Sequence, residues 1–240
     1  MKHFLNVNSI ESFSTKDGDG TRCVVFLQGC PYRCIYCHNI ETQNMQGGTQ
    51  MDVDELVIKA LKYKPYYGDK GGVTISGGEP LVQAKELILF LNELKKNNIN
   101  IALDTSGARL DEHVKNVITL CDHIILDLKF ATEQEYKEHC GGSLFAVLKF
   151  LEECQKQNKR IWIRTVVVPG YNDTKEAIKK YAEIIKNYKI EKVELLPFHT
   201  LGFSKYQKLG AENILENTPP LCEQVCRDLQ QFLDFELSSC

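Results

Sequence analysis

Three cysteines lie within one short loop, Gly29-Cys30-Pro31-Tyr32-Arg33-Cys34-Ile35-Tyr36-Cys37-His38-Asn39. A [4Fe–4S] cluster normally takes four thiolates, one for each iron. The run Cys-x3-Cys-x2-Cys offers three, and His38 follows with no fourth cysteine at close spacing. The simplest chemistry for such a loop is a cluster with one iron left open to a substrate or cofactor. The cluster would then be a reagent and not a structural staple.

Zinc is the competing chemistry. A structural zinc site takes four ligands, often as two Cys-x2-Cys elements some distance apart. Cys34 and Cys37 supply one such pair, and Cys222 with Cys226 would have to supply the other. That assignment leaves Cys30 idle and draws on a pair embedded in a helical pattern, Pro219-Pro220-Leu221-Cys222-Glu223-Gln224-Val225-Cys226. Disulfides are a third use for 10 cysteines, but Met1-Lys2-His3-Phe4 does not open a signal peptide, and a 240-residue chain has no need of staples. Cys23, Cys121, Cys140, Cys154, Cys222, Cys226 and Cys240 are scattered, which predicts small buried side chains.

The elements that would position the loop are regular. With 43% hydrophobic residues the chain is long enough for one large α/β domain, taken as residues 1–240 with the cluster loop at 29–39. Its net charge of −3 argues against a bulk electrostatic grip on nucleic acid. No apolar run reaches the length of a membrane-spanning helix, so a cytoplasmic home is expected. Apolar runs predict strands over Arg22 to Gln28, Gly72 to Ser76, Asn100 to Asp104, His123 to Lys129, Arg160 to Val168 and Lys192 to Phe198. Helical patterns fall between and after them, over Asp52 to Leu61, Gln83 to Asn97, Asp111 to Leu120, Leu144 to Asn158, Thr174 to Asn187 and Pro219 to Phe232.

Six β-then-α units predict parallel strands joined by right-handed crossovers, too few to close an eight-unit barrel. An open partial barrel and a doubly wound sheet both remain. In either, ligands gather beyond the carboxyl ends of the strands. The unusual polar residues stand at those ends. They are Cys30 after the first strand, Gly77-Gly78-Glu79-Pro80 after the second, Asp104-Thr105-Ser106-Gly107 at the third, Asp127 and Lys129 at the fourth, Arg164 on the fifth and His199 after the sixth. Polar groups at six successive strand ends would ring one mouth, as an enzyme requires.

A glycine pair after a strand lets the backbone turn sharply and approach a ligand closely. Joined to the cysteine loop, Ser76-Gly77-Gly78-Glu79-Pro80 resembles the radical S-adenosylmethionine enzymes, which share an open partial (β/α)6 barrel. In that family the open iron chelates the amino and carboxylate groups of S-adenosylmethionine. One electron then cleaves a sulfonium C–S bond, giving methionine and a 5′-deoxyadenosyl radical. Further blocks resemble the branch that activates glycyl-radical enzymes. They are Ser12 to Arg22, Leu103 to Gly107, Leu126-Asp127-Leu128-Lys129, Trp162-Ile163-Arg164 with Val166 to Gly170, Glu194 to His199, and Leu201-Gly202-Phe203-Ser204-Lys205-Tyr206.

The resemblance implies that Cys30, Cys34 and Cys37 hold the cluster. Tyr36 and His38 would line the adenosine side, Gly78 and Glu79 would meet the methionine amino group, and Asn39 and Gly77 would also bind S-adenosylmethionine. Asp104, Thr105 and Asp127 would bind a monovalent cation beside the methionyl carboxylate. Leu128, Lys129 and His199 would also face S-adenosylmethionine. Asp17, His38, Lys129 and Arg164 would hold the glycine-bearing loop of a partner. That partner is expected to be pyruvate formate-lyase, with flavodoxin or ferredoxin as electron donor to a monomeric enzyme. The alternatives are the activase of another glycyl-radical enzyme and a non-catalytic zinc module. Residues 38–76 contain no cysteine, so the ferredoxin-like insert of some relatives is not expected. Two departures stand out: Asp19 lies between Gly18 and Gly20 where proline is common, and Ser106 stands where asparagine is common.

Overall fold

A computed structural model describes residues 2–238, leaving Cys240 outside the described residues. Six strands run parallel in chain order: β2 (Arg22–Leu27), β4 (Gly72–Gly77), β5 (Asn100–Thr105), β6 (His123–Asp127), β7 (Arg160–Val167) and β8 (Lys192–Pro197). They pair consecutively, and the strand order never reverses. A doubly wound sheet needs such a reversal, so the architecture is the open partial barrel.

Two antiparallel strands, absent from the expected six, extend it. β1 (Phe4–Ser14) pairs with β2, and β3 (Thr49–Asp52) pairs with β1 at the outer edge. β1 buries Leu5, Val7 and Ser14 and leaves residues 8–13 half-exposed or exposed, with Asn6, Asn8, Ser9 and Ser12 breaking any apolar run. β3 is Thr-Gln-Met-Asp and buries no residue fully. The sheet stays open because β3 and β8 end it without pairing to each other.

The helices on the outer face are α1 (Val53–Lys62), α2 (Ala84–Lys96), α3 (Glu112–Leu120), α4 (Glu133–Cys140), α5 (Leu144–Lys156), α6 (Lys175–Ile185), α7 (Phe203–Leu209) and α8 (Glu223–Ser238). Several of their starts are set by side-chain caps. Asp111, Thr132, Ser143 and Thr174 accept backbone N–H bonds at the first turns of α3, α4, α5 and α6. Amphipathic faces then bury residues such as Leu87, Phe90, Leu91 and Leu94 of α2 against the strands. α4 and α7 were not predicted. α4 reads Glu-Gln-Glu-Tyr-Lys-Glu-His-Cys and buries only Tyr136 and Cys140, so it lacks an apolar stripe. The exposed edge of β8 is covered by α8, whose Gln230 amide accepts from Leu195 N at 2.7 Å and donates to Val193 O at 3.2 Å. One side chain thus stands in for a ninth strand. No described helix is long and apolar enough to cross a membrane.

Candidate active site

The carboxyl ends of the parallel strands open on one cavity. Cys30, Cys34 and Cys37 line it together with Tyr36, His38 and Asn39. Gly77, Gly78, Asp104, Thr105, Asp127, Lys129 and Arg164 complete the wall. Thirteen residues expected at the site from sequence therefore share one enclosure.

The cysteine loop is held by its backbone. Arg33 N donates to Cys140 O at 2.7 Å and Ile35 N to His139 O at 3.0 Å, so the C-terminus of α4 carries the Cys30–Cys34 half. Glu79 N donates to Gly29 O at 2.8 Å, joining the loop to the end of β4. The glycine pair there is dictated by space. A Cβ on Gly77, whose φ is +120°, would lie 2.3 Å from Leu27 O, and one on Gly78 would lie 2.3 Å from Gly29 O.

Burial pushes the Cys30 thiol up to about 12. Cys34 is raised by its hydrogen bond with Cys140 and then by burial, and Cys37 by burial and by the nearby Cys34 sulfur. Such thiols need a cationic partner to become ligands, which iron supplies. Cys140 is therefore more than a small space-filler: it touches the central thiol of the loop. Cys222 is exposed, against the expectation of burial, while Cys226 is buried with its thiol donating to Leu195 O at 3.5 Å. Among the described residues no three His, Cys, Asp or Glu side chains gather as ligands of a single metal ion, so the zinc site paired from these cysteines does not assemble. Three thiols opening on a cavity with no fourth cysteine in its wall fit a cluster with one open iron.

Charges of both signs face the same space. Lys129 Nζ donates to Asp127 Oδ2 at 2.9 Å and lies 5.9 Å from the centre of the Tyr36 ring. Burial is the largest influence on the Lys129 ammonium and works against it, but Asp127, Cys34, Tyr36 and Cys140 together outweigh it and hold the pKa above the ordinary lysine value. Asp104 accepts from Ser76 Oγ at 2.8 Å, and burial, with Asp127 nearby, raises its carboxyl to about 7. Arg164 donates through Nε to Glu194 at 3.3 Å and through Nη2 to the Lys16 carbonyl.

Other predicted residues lie elsewhere. The Glu79 carboxylate is fully buried and accepts from Leu81 N, Thr105 Oγ1, Ser106 N and Ser106 Oγ. It ties the end of β4 to that of β5, with no oxygen turned to the cavity to meet an amino group. Thr105 lines the wall, but its hydroxyl is committed to Glu79 at 2.6 Å and to Gly107 N at 3.0 Å. Ser106, in the place of the commoner asparagine, is part of the same lock. Leu128 is buried outside the cavity, its carbonyl accepting from Thr165 Oγ1. Asp17 also lies outside the wall, accepting from Ser14 Oγ, while its carbonyl accepts from Thr74 Oγ1 at 2.6 Å. His199 is exposed and stacks on His38 with ring centres 4.1 Å apart. His38 Nε2 donates to the His199 carbonyl at 2.8 Å, and burial lowers the His38 pKa. Sequence reading missed Ser76, Thr42 and Val166 in the wall and Tyr136 beneath it, whose hydroxyl accepts from Lys129 N at 2.9 Å.

Residues 24–191 match the model of the Radical SAM superfamily. The chain is 41% identical to the pyruvate formate-lyase-activating enzyme of Clostridium pasteurianum, over 95% of its own length and 96% of that protein. It belongs to this family. The enzyme of the same name from Staphylococcus epidermidis is 36% identical, over 96% of this chain and 95% of that one. Among solved structures, a domain of pyruvate-formate lyase-activating enzyme from Bacteroides vulgatus superposes with a TM-score of 0.57 at 26% identity, covering 69% of this chain and 94% of that one. Streptococcus suis SuiB bound to its precursor peptide reaches 0.68 at 14% identity, covering 90% of this chain and 46% of that one, and shares the fold alone. Family membership carries the [4Fe–4S] cluster and S-adenosylmethionine with it, and the three thiols are suited to the cluster.

Proposed function

We propose that this chain activates pyruvate formate-lyase by placing a radical on a backbone glycine of that enzyme. The single observation that carries the reading is the meeting of Cys30, Cys34 and Cys37 with Asp104, Asp127, Lys129 and Arg164 in one cavity, in a chain similar over almost its whole length to activating enzymes of that name. Cys30, Cys34 and Cys37 would hold the cluster, which would supply one electron, received from an external reductant, for cleavage of S-adenosylmethionine to methionine and a 5′-deoxyadenosyl radical able to take a hydrogen atom from the glycine Cα.

The protein's own residues bind, orient and exclude. A zwitterionic methionyl group needs opposite charges in a confined space, and Lys129 paired with Asp127 offers both. Asp104 and Asp127 are two carboxylates in one wall, and a monovalent cation between them would relieve their repulsion. Tyr36, His38 and Asn39 border the adenosine side. Arg164, held by Glu194 and the Lys16 carbonyl, faces the space where the partner's loop would enter. Holding the glycine close to the 5′ carbon and keeping water out are the main demands. No general base is required, because a hydrogen atom moves and not a proton. The enzyme acts as a cytoplasmic monomer of one domain, taking electrons from a reduced flavodoxin or ferredoxin.

The test is electron paramagnetic resonance on anaerobically reconstituted protein with reductant, S-adenosylmethionine and pyruvate formate-lyase. A glycyl-radical doublet on the partner, formed together with 5′-deoxyadenosine, is the expected result. Deoxyadenosine without the doublet would move the activity to another glycyl-radical enzyme.

A further inference from the structure

The segment Leu201–Tyr206 has no part in the cavity wall, yet it reaches the cysteine loop across more than 160 residues of sequence. Tyr206 OH donates to the Cys37 carbonyl at 2.9 Å. Lys205 Nζ donates to the His38 carbonyl at 2.9 Å and to Glu41 Oε1 at 2.6 Å. Gly202 lies so close that a Cβ there would stand 3.0 Å from His38 Cα. Just before it, His199 stacks on the His38 ring and accepts from His38 Nε2.

The two halves of the cysteine loop are held differently. The Cys30–Cys34 half rests on backbone bonds from the end of α4 and of β4. In the Cys37 half, Cys37 N donates to Cys34 O at 3.1 Å and Thr42 N to Asn39 O at 2.8 Å, and the Cys37 and His38 carbonyls between them take their hydrogen bonds from α7 side chains. A site of this kind works only if its ligands are fixed to within about half an ångström by groups that are themselves locked. Tyr206 is locked: it is 5% exposed and its ring meets that of Phe203, which in turn meets Phe198.

We infer that α7 is a clasp on the Cys37 end of the cluster loop, with Tyr206 and Lys205 as positioning residues for the third thiol. This rests on the three cysteines carrying a cluster. Lys205 also balances the Glu41 carboxylate at 2.6 Å, and a negative charge left unpaired near the loop would disfavour the more negative, reduced state of the cluster.

The test compares the reconstituted full chain with Tyr206→Phe, Lys205→Met and Lys205→Arg, using Lys208→Met on the same helix as control. Iron and acid-labile sulfide per chain, the rate of cluster loss to an iron chelator, the cluster midpoint potential and the melting temperature without iron are measured. Tyr206→Phe keeps the ring and removes the hydroxyl. It should melt as the parent does and lose its cluster about tenfold faster, the scale of one hydrogen bond. Lys205→Met should do the same and lower the midpoint potential, Lys205→Arg should restore both, and the control should change nothing. Parental cluster retention in folded Tyr206→Phe overturns the clasp. Should Tyr206→Phe not fold, the lysine pair decides, and equal behaviour of Lys205→Met and Lys205→Arg overturns it instead. A parent chain that assembles no iron–sulfur cluster would instead remove the cluster reading on which the inference stands.

Discussion

The two ends of the parallel sheet use the same residue types in opposite ways. At the amino-terminal end, Arg22 is fully buried and every direction of its guanidinium is taken. It donates to Thr74 Oγ1, the carbonyls of Asp19, Lys70, Val73 and Asn100, and Asn100 Oδ1. Beside it, Arg160 joins Asp19 at 2.9 Å and Glu191 at 2.6 Å. Asp19, in the place of the commoner proline, is thus part of an ion network that closes the floor. At the carboxyl-terminal end, Asp104, Asp127, Lys129 and Arg164 face open space. Charges enclosed wholly by their own protein make structure, and charges that keep a partner yet still border a cavity, as Lys129 beside Asp127 and Arg164 beside Glu194, make a site.

Breaking each end should separate stability from activity. Cys34→Ala removes the central thiol of the loop, and the expected outcome is complete loss of the glycyl radical and of the cluster signal. Its melting temperature should stay within a few degrees of the iron-free parent. Arg22→Met should do the reverse. It strands several buried acceptors, each costing ~1–3 kcal/mol when left unpaired, so a destabilisation of about 3–5 kcal/mol is expected by urea unfolding. Activity per folded molecule should survive. A folded Arg22→Met that cannot activate its partner would show that the floor also shapes the site.

A smaller effect sharpens the same contrast at the mouth. Asp104→Asn keeps a group able to bond Ser76 but removes one of two neighbouring negative charges. The expected result is a rise of about tenfold in the KM for S-adenosylmethionine, since a bond to a charged group is worth ~1.5–3 kcal/mol, with little change in stability. An unchanged KM, and no response to monovalent cations in parent or variant, would end the proposed cation role for this carboxylate.

The contrast also marks what the sequence made legible. All six parallel strands were readable because each is an apolar run that stops at a polar or glycine signal. Their order placed Cys30, Asp104, Asp127, Lys129 and Arg164 at one mouth before any coordinates. β3 lies at the edge and buries no residue fully, α4 buries only Tyr136 and Cys140, and in β1 polar residues at 6, 8, 9 and 12 interrupt the apolar ones, so these patterns carry little hydrophobic period. Glu79 shows a different limit. Its type and position suit ligand binding, and only the folded distances to Thr105 and Ser106 reveal that its oxygens are already engaged. The same holds for Cys140, whose contact with Cys34 spans a hundred residues and obeys no local spacing.

The smallest expected effect concerns the floor and follows from His123. This ring is 1% exposed, meets Trp162 edge-on at 4.4 Å and has an Nε2 with no hydrogen-bond partner. Burial, and then Arg160, lower its pKa from 6.5 to about 4. Between those values the unfolded chain binds a proton that the folded chain does not, so acid favours unfolding. His123 therefore leaves stability intact above pH 6.5 and subtracts from it progressively as the pH falls toward 4. Urea midpoints at pH 7.5 and pH 5 should differ in the parent. His123→Phe keeps a ring against Trp162 and removes the titrating group, so it should narrow that difference without altering activation at pH 7.5. An unchanged acid sensitivity would mean that His123 is protonated in the folded state and that the floor holds one more paired charge.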